Sequence, residues 1–169
     1  MIRADQHLVL VGLMGSGKTT VARLLGERMH RRVLDTDALV EERTGRTVRD
    51  IFSTDGEEVF REVEAAVLRD VLSSDEPVIV AAAGGVVLGQ ANREALRQSG
   101  ARVVWLCADT TTLLERVKGG PHRPLLDADP AGTLQRMNDQ REALYREVAD
   151  AIVLVDHRTP HEVAEAVLR

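Results

Sequence analysis

Five short apolar runs divide the chain: Leu8-Val9-Leu10-Val11, Val33-Leu34, Val78-Ile79-Val80-Ala81-Ala82-Ala83, Val103-Val104-Trp105-Leu106-Cys107 and Ala151-Ile152-Val153-Leu154-Val155. They are too short for helices and lack the polar alternation of a half-solvated strand, so they predict strands buried on both faces. Between them the apolar period changes to that of a helix. Val21, Leu24, Leu25 and Met29 share one face of a helix over 19–29, and Val59, Phe60, Val63, Val67 and Val71 share one on a long helix from Asp55-Gly56 to about Leu72. A helix carrying Leu113, Leu114 and Val117 has Thr112 and Glu115 as a capping box, and another spans 134–148. Shorter helices are predicted over 38–43 with Asp37 as N-cap, over 48–52 capped by Thr47, and over 91–99 closed by Gly100. The last helix starts with Thr159 as N-cap, Pro160 at its first position and Glu162 completing a capping box. Strands separated by helices in this order predict an α/β fold, a five-stranded parallel sheet with helices on both faces, in a single domain covering 1–169.

The first strand and first helix are joined by Gly12-Leu13-Met14-Gly15-Ser16-Gly17-Lys18-Thr19-Thr20, which fits the G-x-x-x-x-G-K-[ST] phosphate loop in its required strand-to-helix setting. In such a loop the backbone N–H groups from Gly15 through Thr20 cradle phosphate oxygens at a helix N-terminus. Lys18 reaches the β- and γ-phosphates, and the Thr19 hydroxyl holds Mg²⁺. The second strand runs into Asp35-Thr36-Asp37, which puts two acids at the carboxyl end of a strand, where ligands of parallel sheets bind. The buried run 78–83 ends in Gly84-Gly85 with no acid, so Asp35 is the natural source of the carboxylate that supports the metal.

Arg61 and Glu64 stand three apart on the long helix, where by themselves they read as one more solvated ion pair. Helical period stops over 118–132. That stretch holds Gly119-Gly120-Pro121 and Arg123-Pro124, the composition of a lid whose arginine closes over phosphates. Neither an N-K-x-D guanine motif nor a strand before Asp129-Pro130-Ala131-Gly132 supports a GTP switch. The residues thus point to a Mg²⁺-dependent ATP phosphotransferase with a small acceptor.

Composition narrows the partners. Of 169 residues 44% are hydrophobic and 29% charged, ordinary values for a globular domain, and the net charge is -5. With one Trp, one Tyr and two Phe, neither a basic groove nor base-stacking platforms are available, so no nucleic-acid partner is expected. No run approaches the roughly 18 apolar residues of a membrane helix, and a cytoplasmic protein is expected. Cys107 is the single cysteine and reads as an inert thiol in an apolar strand, while His157 and His161 read as surface residues on either side of a helix start.

The motifs taken together carry a closer resemblance. Gly12 to Thr19, Leu34-Asp35-Thr36-Asp37, Thr44-Gly45-Arg46, Ile51-Phe52-x-x-x-Gly56-Glu57-x-x-Phe60-Arg61-x-x-Glu64, Gly84-Gly85, Arg123-Pro124-Leu125-Leu126 and Arg141-x-x-Leu144-Tyr145 stand in an order and spacing that resembles the shikimate kinases over nearly the whole chain. The resemblance implies a P-loop kinase that phosphorylates shikimate on its 3-hydroxyl, acting as a monomer on ATP and shikimate. It implies that Asp37 lies beside that hydroxyl, that Arg61 and Arg141 bind shikimate, with Arg141 on its carboxylate, and that Gly84 and Gly85 offer N–H groups. It also implies that Asp35 supports Mg²⁺ through water, that Arg123 is the lid arginine, and that Arg116 and Pro160 border adenine.

Two positions depart from the usual pattern. Ala83 stands where the family has a third glycine, and Ala143 where it has proline before Leu-Tyr. They leave open a paralogue acting on a sugar acid such as gluconate. A nucleotide-binding regulator without turnover is a further alternative, opposed by the intact Lys18, Asp35, Asp37 and Arg123. At Ala83 the expectation is a negative φ, with Gly84 and Gly85 making the turn.

Overall fold

The computed structural model describes residues 1–120, 126 and 128–169. Strands β1 (Leu8–Val11), β2 (Val33–Asp35), β3 (Ile79–Ala81), β4 (Arg102–Cys107) and β5 (Ala151–Leu154) form one sheet in the order β2-β3-β1-β4-β5. Every neighbouring pair is parallel, with Leu8 opposite both Ile79 and Arg102. The α/β expectation therefore holds. Helices α1 (Lys18–Met29), α2 (Thr36–Thr44), α3 (Val48–Thr54), α4 (Gly56–Leu72), α5 (Gln90–Gln98), α6 (Thr110–Lys118), α7 (Pro130–Val148) and α8 (Pro160–Leu168) surround it.

The inner apolar strands β1, β3 and β4 resolve into two cores, one on each face, whereas the edge strand β5 departs from the expected two-sided burial and leaves Ile152 and Leu154 exposed. Leu8 and Leu10 join Ile79, Val104 and Leu106 against Leu25 of α1 and Val163 and Val167 of α8. Val9 and Val11 join Val80, Val103 and Trp105 against Leu68 of α4, Leu96 of α5, Leu113 of α6 and Tyr145 of α7. Successive strand residues point to opposite faces, so a strand covered on both sides needs apolar residues at every position. A smaller cluster of Val40, Ile51, Phe60 and Val67 fastens α2 and α3 to α4.

Several boundaries shift from the sequence expectation, and four of the shifts have a physical reason. Helix α2 begins at Thr36 and its N-cap is Asp35, not Asp37: one Asp35 carboxylate oxygen accepts the N–H groups of Asp37 at 2.9 Å and Ala38 at 3.2 Å. Strand β2 stops pairing at Asp35, opposite Ala81, and that fixes which acid caps. Helix α6 begins at Thr110 behind Asp109, so Thr112 lies inside its first turn and the Thr112–Glu115 capping box does not form. Helix α7 begins at Pro130 rather than at 134, because Asp129 accepts the Gly132 N–H at 3.0 Å and Pro130 suits the first helical position. Strand β3 ends at Ala81, since the Ala83 N–H turns to the Thr36 hydroxyl instead of a neighbouring strand.

Candidate active site

The phosphate loop leaves β1 at the carboxyl edge of the sheet. Gly12 has φ 147°, and a Cβ there would stand 2.6 Å from the Leu106 carbonyl oxygen of β4, so only glycine lets the loop pass this close to the neighbouring backbone. Gly17, at φ 90°, caps α1. The N–H groups of Gly15, Gly17, Thr19 and Thr20 find no partner among the described residues, and they stand at the positive end of the α1 dipole. Lys18 Nζ donates to the carbonyls of Gly12 at 2.7 Å and Leu13 at 3.0 Å, which folds the lysine back across the loop mouth. Ser16 is buried, and its hydroxyl has no partner among the described residues. The arrangement is a ready anion cradle.

Two cavities flank the loop. On the β5 side, Ser16, Gly17, Thr20, Arg116, Arg158 and Pro160 line a pocket of about 270 Å³. Arg116 crosses from α6 to donate to the Gly15 carbonyl at 3.2 Å and the Val155 carbonyl at 3.3 Å, so it ties the loop to the end of β5. On the β2 side, Lys18, Thr19, Asp35, Asp37, Ala83 and Gly84 line a cavity of about 370 Å³. Sequence-predicted residues of α1, β2, α2, α6 and α8 thus line these two spaces beside the loop.

Charges on and behind the wall of the second cavity are arranged in opposed pairs. Burial first, and then the neighbouring Asp35 charge, raises the Asp37 carboxyl above its ordinary range, with Lys18 and Arg61 acting against the rise. Glu64 is fully buried and is likewise raised by burial, while Arg61 opposes the shift. Arg61 Nη1 donates to both Glu64 oxygens, at 3.0 and 3.2 Å, and its guanidinium lies 5.1 Å from the Phe60 ring. The surface ion pair read from helix spacing is therefore an anchored one, buried on its acidic side, with a guanidinium that is held in place rather than swinging in solvent.

Gly84 and Gly85 sit between the two arginines. A Cβ at Gly85 would fall 2.3 Å from Arg61 Nη2, and one at Gly84 would fall 3.5 Å from Arg141 Nη1. Gly85 has φ -87° and Gly84 is not among the residues of positive φ, so what these glycines provide here is room for guanidinium groups, not an unusual backbone. Their N–H groups have no partner among the described residues, and Arg141 Nε is buried without one. Two cations and two free donors around a cleft are suited to an acceptor carrying a carboxylate and hydroxyls.

The departures resolve simply. Ala83 is not among the residues of positive φ, as expected, so its methyl group is added bulk at a cavity wall without backbone strain. Ala143 is exposed and α7 runs unbroken past it, with Arg141 on the same helix. Arg123 lies outside the described residues. Cys107 is half-buried at the end of β4, where burial pushes its thiol up, and the exposed His157 and His161 are surface residues as expected.

Three residues were given no role by the sequence, although Thr36 and Tyr145 stand in its motifs. Arg158 joins the β5-side pocket, signalled only by its nearness to Pro160. Thr36 is fully buried and its hydroxyl accepts the Ala83 N–H at 2.9 Å. Tyr145, also fully buried, donates its hydroxyl to the Gly84 carbonyl at 2.6 Å.

Comparison with known proteins agrees with this geometry. A family model described as shikimate kinase matches residues 14–169. A shikimate kinase of Symbiobacterium thermophilum is 47% identical over 165 residues, spanning 96% of this chain and 94% of that protein. One from a Marinomonas species is 39% identical over 170 residues, 99% of this chain and 92% of the other. The solved structure of shikimate kinase from Acinetobacter baumannii in complex with shikimate superposes with a TM-score of 0.90 at 36% identity, covering 96% of this chain and 90% of that one. With the phosphate loop, the acids at the end of β2 and the paired arginines in one cleft, the chain belongs to the shikimate kinase family.

Proposed function

We propose that this chain transfers the γ-phosphoryl group of ATP to the 3-hydroxyl of shikimate, giving shikimate 3-phosphate and ADP. The observation that carries the reading is the convergence of Arg61 and Arg141 on Gly84-Gly85, where Gly84 lines the cavity shared by Asp37 and Lys18. Arg141, with its unsatisfied buried Nε, pairs with the shikimate carboxylate, and Arg61, fixed by Glu64, binds the ring beside it. Gly84 and Gly85 donate N–H groups to the bound acceptor.

Asp37 orients the 3-hydroxyl and takes its proton as the new P–O bond forms and the bond to the ADP oxygen breaks. A carboxyl raised by burial and by Asp35 is the stronger base for that task. Lys18, the open loop N–H groups and Arg123 neutralise charge on the transferred group, since phosphoryl transfer asks mainly for positioning and electrostatic stabilisation. ATP lies along Gly15, Ser16, Gly17, Thr19 and Thr20, with adenine in the pocket of Arg116, Arg158 and Pro160.

Thr19 and Asp35 fit a hard cation, because both offer oxygen and the Asp35 carboxylate still has an oxygen free of the α2 cap. They would hold Mg²⁺, which would supply positive charge to offset that of the phosphates. Every residue in this account comes from one chain, so the reading needs no second copy and fits a monomer. Among the described residues no helix is long and apolar enough to cross a membrane, and the reading puts the reaction in the cytoplasm, with ATP.

The test is ADP release measured in parallel with shikimate, gluconate and nucleoside monophosphates as acceptors. Release with shikimate far above the others is expected. Background release with shikimate beside clear release with another acceptor would overturn the reading.

A further inference from the structure

The turn Ala83-Gly84-Gly85 leaves β3 after the sheet has stopped pairing, yet it must present two N–H groups and lie against two guanidinium groups. The Ala83 and Gly85 carbonyls accept from the backbone N–H groups of Val86 and Leu88, and two further polar backbone atoms are held by side chains. The Ala83 N–H donates to Thr36 Oγ1 at 2.9 Å, and the Gly84 carbonyl accepts from the Tyr145 hydroxyl at 2.6 Å. We propose that Thr36 and Tyr145 are positioning residues that clamp this turn from opposite sides and so set the geometry with which the acceptor is bound. The proposal rests on the shikimate reading given above.

Each half of the clamp sits on an element that carries an acceptor-facing charge. Thr36 lies between Asp35 and Asp37 at the start of α2, while Tyr145 is four residues, or one helical turn, after Arg141 on α7. A displacement of the turn would shift its free N–H groups relative to the Arg61 and Arg141 guanidinium groups beside which the acceptor binds.

Both clamping side chains are fully buried, so water does not compete for their hydrogen bonds. Tyr145 has little freedom to swing away, because its ring stacks on Trp105 of β4 with centroids 5.6 Å apart. Burial pushes its hydroxyl up to about 12, against the opposing charge and donor of Arg141, so it remains a donor throughout the working range of pH. Nothing in the transfer step needs that proton, which leaves the hydroxyl a holding role.

The experiment compares Tyr145→Phe, which keeps the ring stack, with Thr36→Val and Thr36→Ser, in the full chain with ATP and Mg²⁺. Tyr145→Phe and Thr36→Val should each raise KM for shikimate by roughly 5- to 10-fold, the worth of one buried hydrogen bond, while kcat and KM for ATP stay within about twofold. Thr36→Ser, which restores the acceptor oxygen, should return KM to within about twofold of the parent. The Thr36 pair decides the matter should Tyr145→Phe fail to fold. An unchanged KM for shikimate in folded Tyr145→Phe and Thr36→Val, or an equal rise for ATP and shikimate, would overturn the clamp while leaving the shikimate reading intact. A parent enzyme that ignores shikimate would instead overturn that reading first.

Discussion

Asp37 concentrates the conflict between folding and activity in one side chain. Its carboxyl is raised in the folded protein by burial and by Asp35, so ionising it opposes folding. The sign follows from linkage: the stabilising contribution is full below the unfolded value, near 3.8, and is lost as pH rises through the higher folded value. Asp37→Asn should therefore lower kcat severely, because the hydroxyl loses its base, yet melt at a higher temperature than the parent at pH 7. That gain should shrink as the pH is taken down toward 4, where the parent's own carboxyl becomes protonated. Melting curves of both proteins between pH 4 and 8, beside kcat, check the pair of effects. A variant with near-normal kcat, or one that gains no stability at pH 7, would contradict the role given to this residue.

Among the elements, the start of α2 combines structure and chemistry in Asp35, which caps the helix with one oxygen, leaves the other outside the cap, and lines the cavity beside the phosphate loop. Asp35→Asn preserves the cap and should change stability little, whereas Asp35→Ala should cost about 1 kcal/mol. Both should lose most turnover, and in Asp35→Asn the acid limb of the residual activity should move to lower pH, since a charge that raises Asp37 is gone. Thermal melts and a pH–rate profile separate the two contributions, and an acid limb that did not move would count against the coupling of these acids.

The same element marks where sequence stops being informative. Apolar runs such as Leu8-Val9-Leu10-Val11 announce strands covered on both faces, and the phosphate loop announces itself by its glycines and lysine. Asp35 and Asp37 are both good N-caps, and only the end of pairing between β2 and β3 decides between them. The burial of Glu64, and the bonds from Thr36 to Ala83 across 47 positions and from Tyr145 to Gly84 across 61, come from tertiary packing, which local pattern does not carry.

Across the whole molecule, the strand order sets a direction for the reaction. With β1 in the middle of the sheet, its loop lies between a pocket at the β5 side and a cleft at the β2 and β3 side. On the proposed reading, donor and acceptor approach the loop from opposite sides, which suits an in-line transfer between them. Although the net charge is -5, Lys18, Arg61 and Arg141 stand among Asp35, Asp37 and Glu64 near the cleft, so an anionic acceptor finds fixed cations there on a negative protein. The most direct test is the position of the phosphoryl group on the product, read by phosphorus–proton correlation NMR after complete turnover of shikimate with ATP. A single product whose phosphorus couples to the proton on carbon 3, formed in step with ADP, is the expected result; phosphate on another hydroxyl, or ADP formed without a phosphorylated acceptor, would contradict the account.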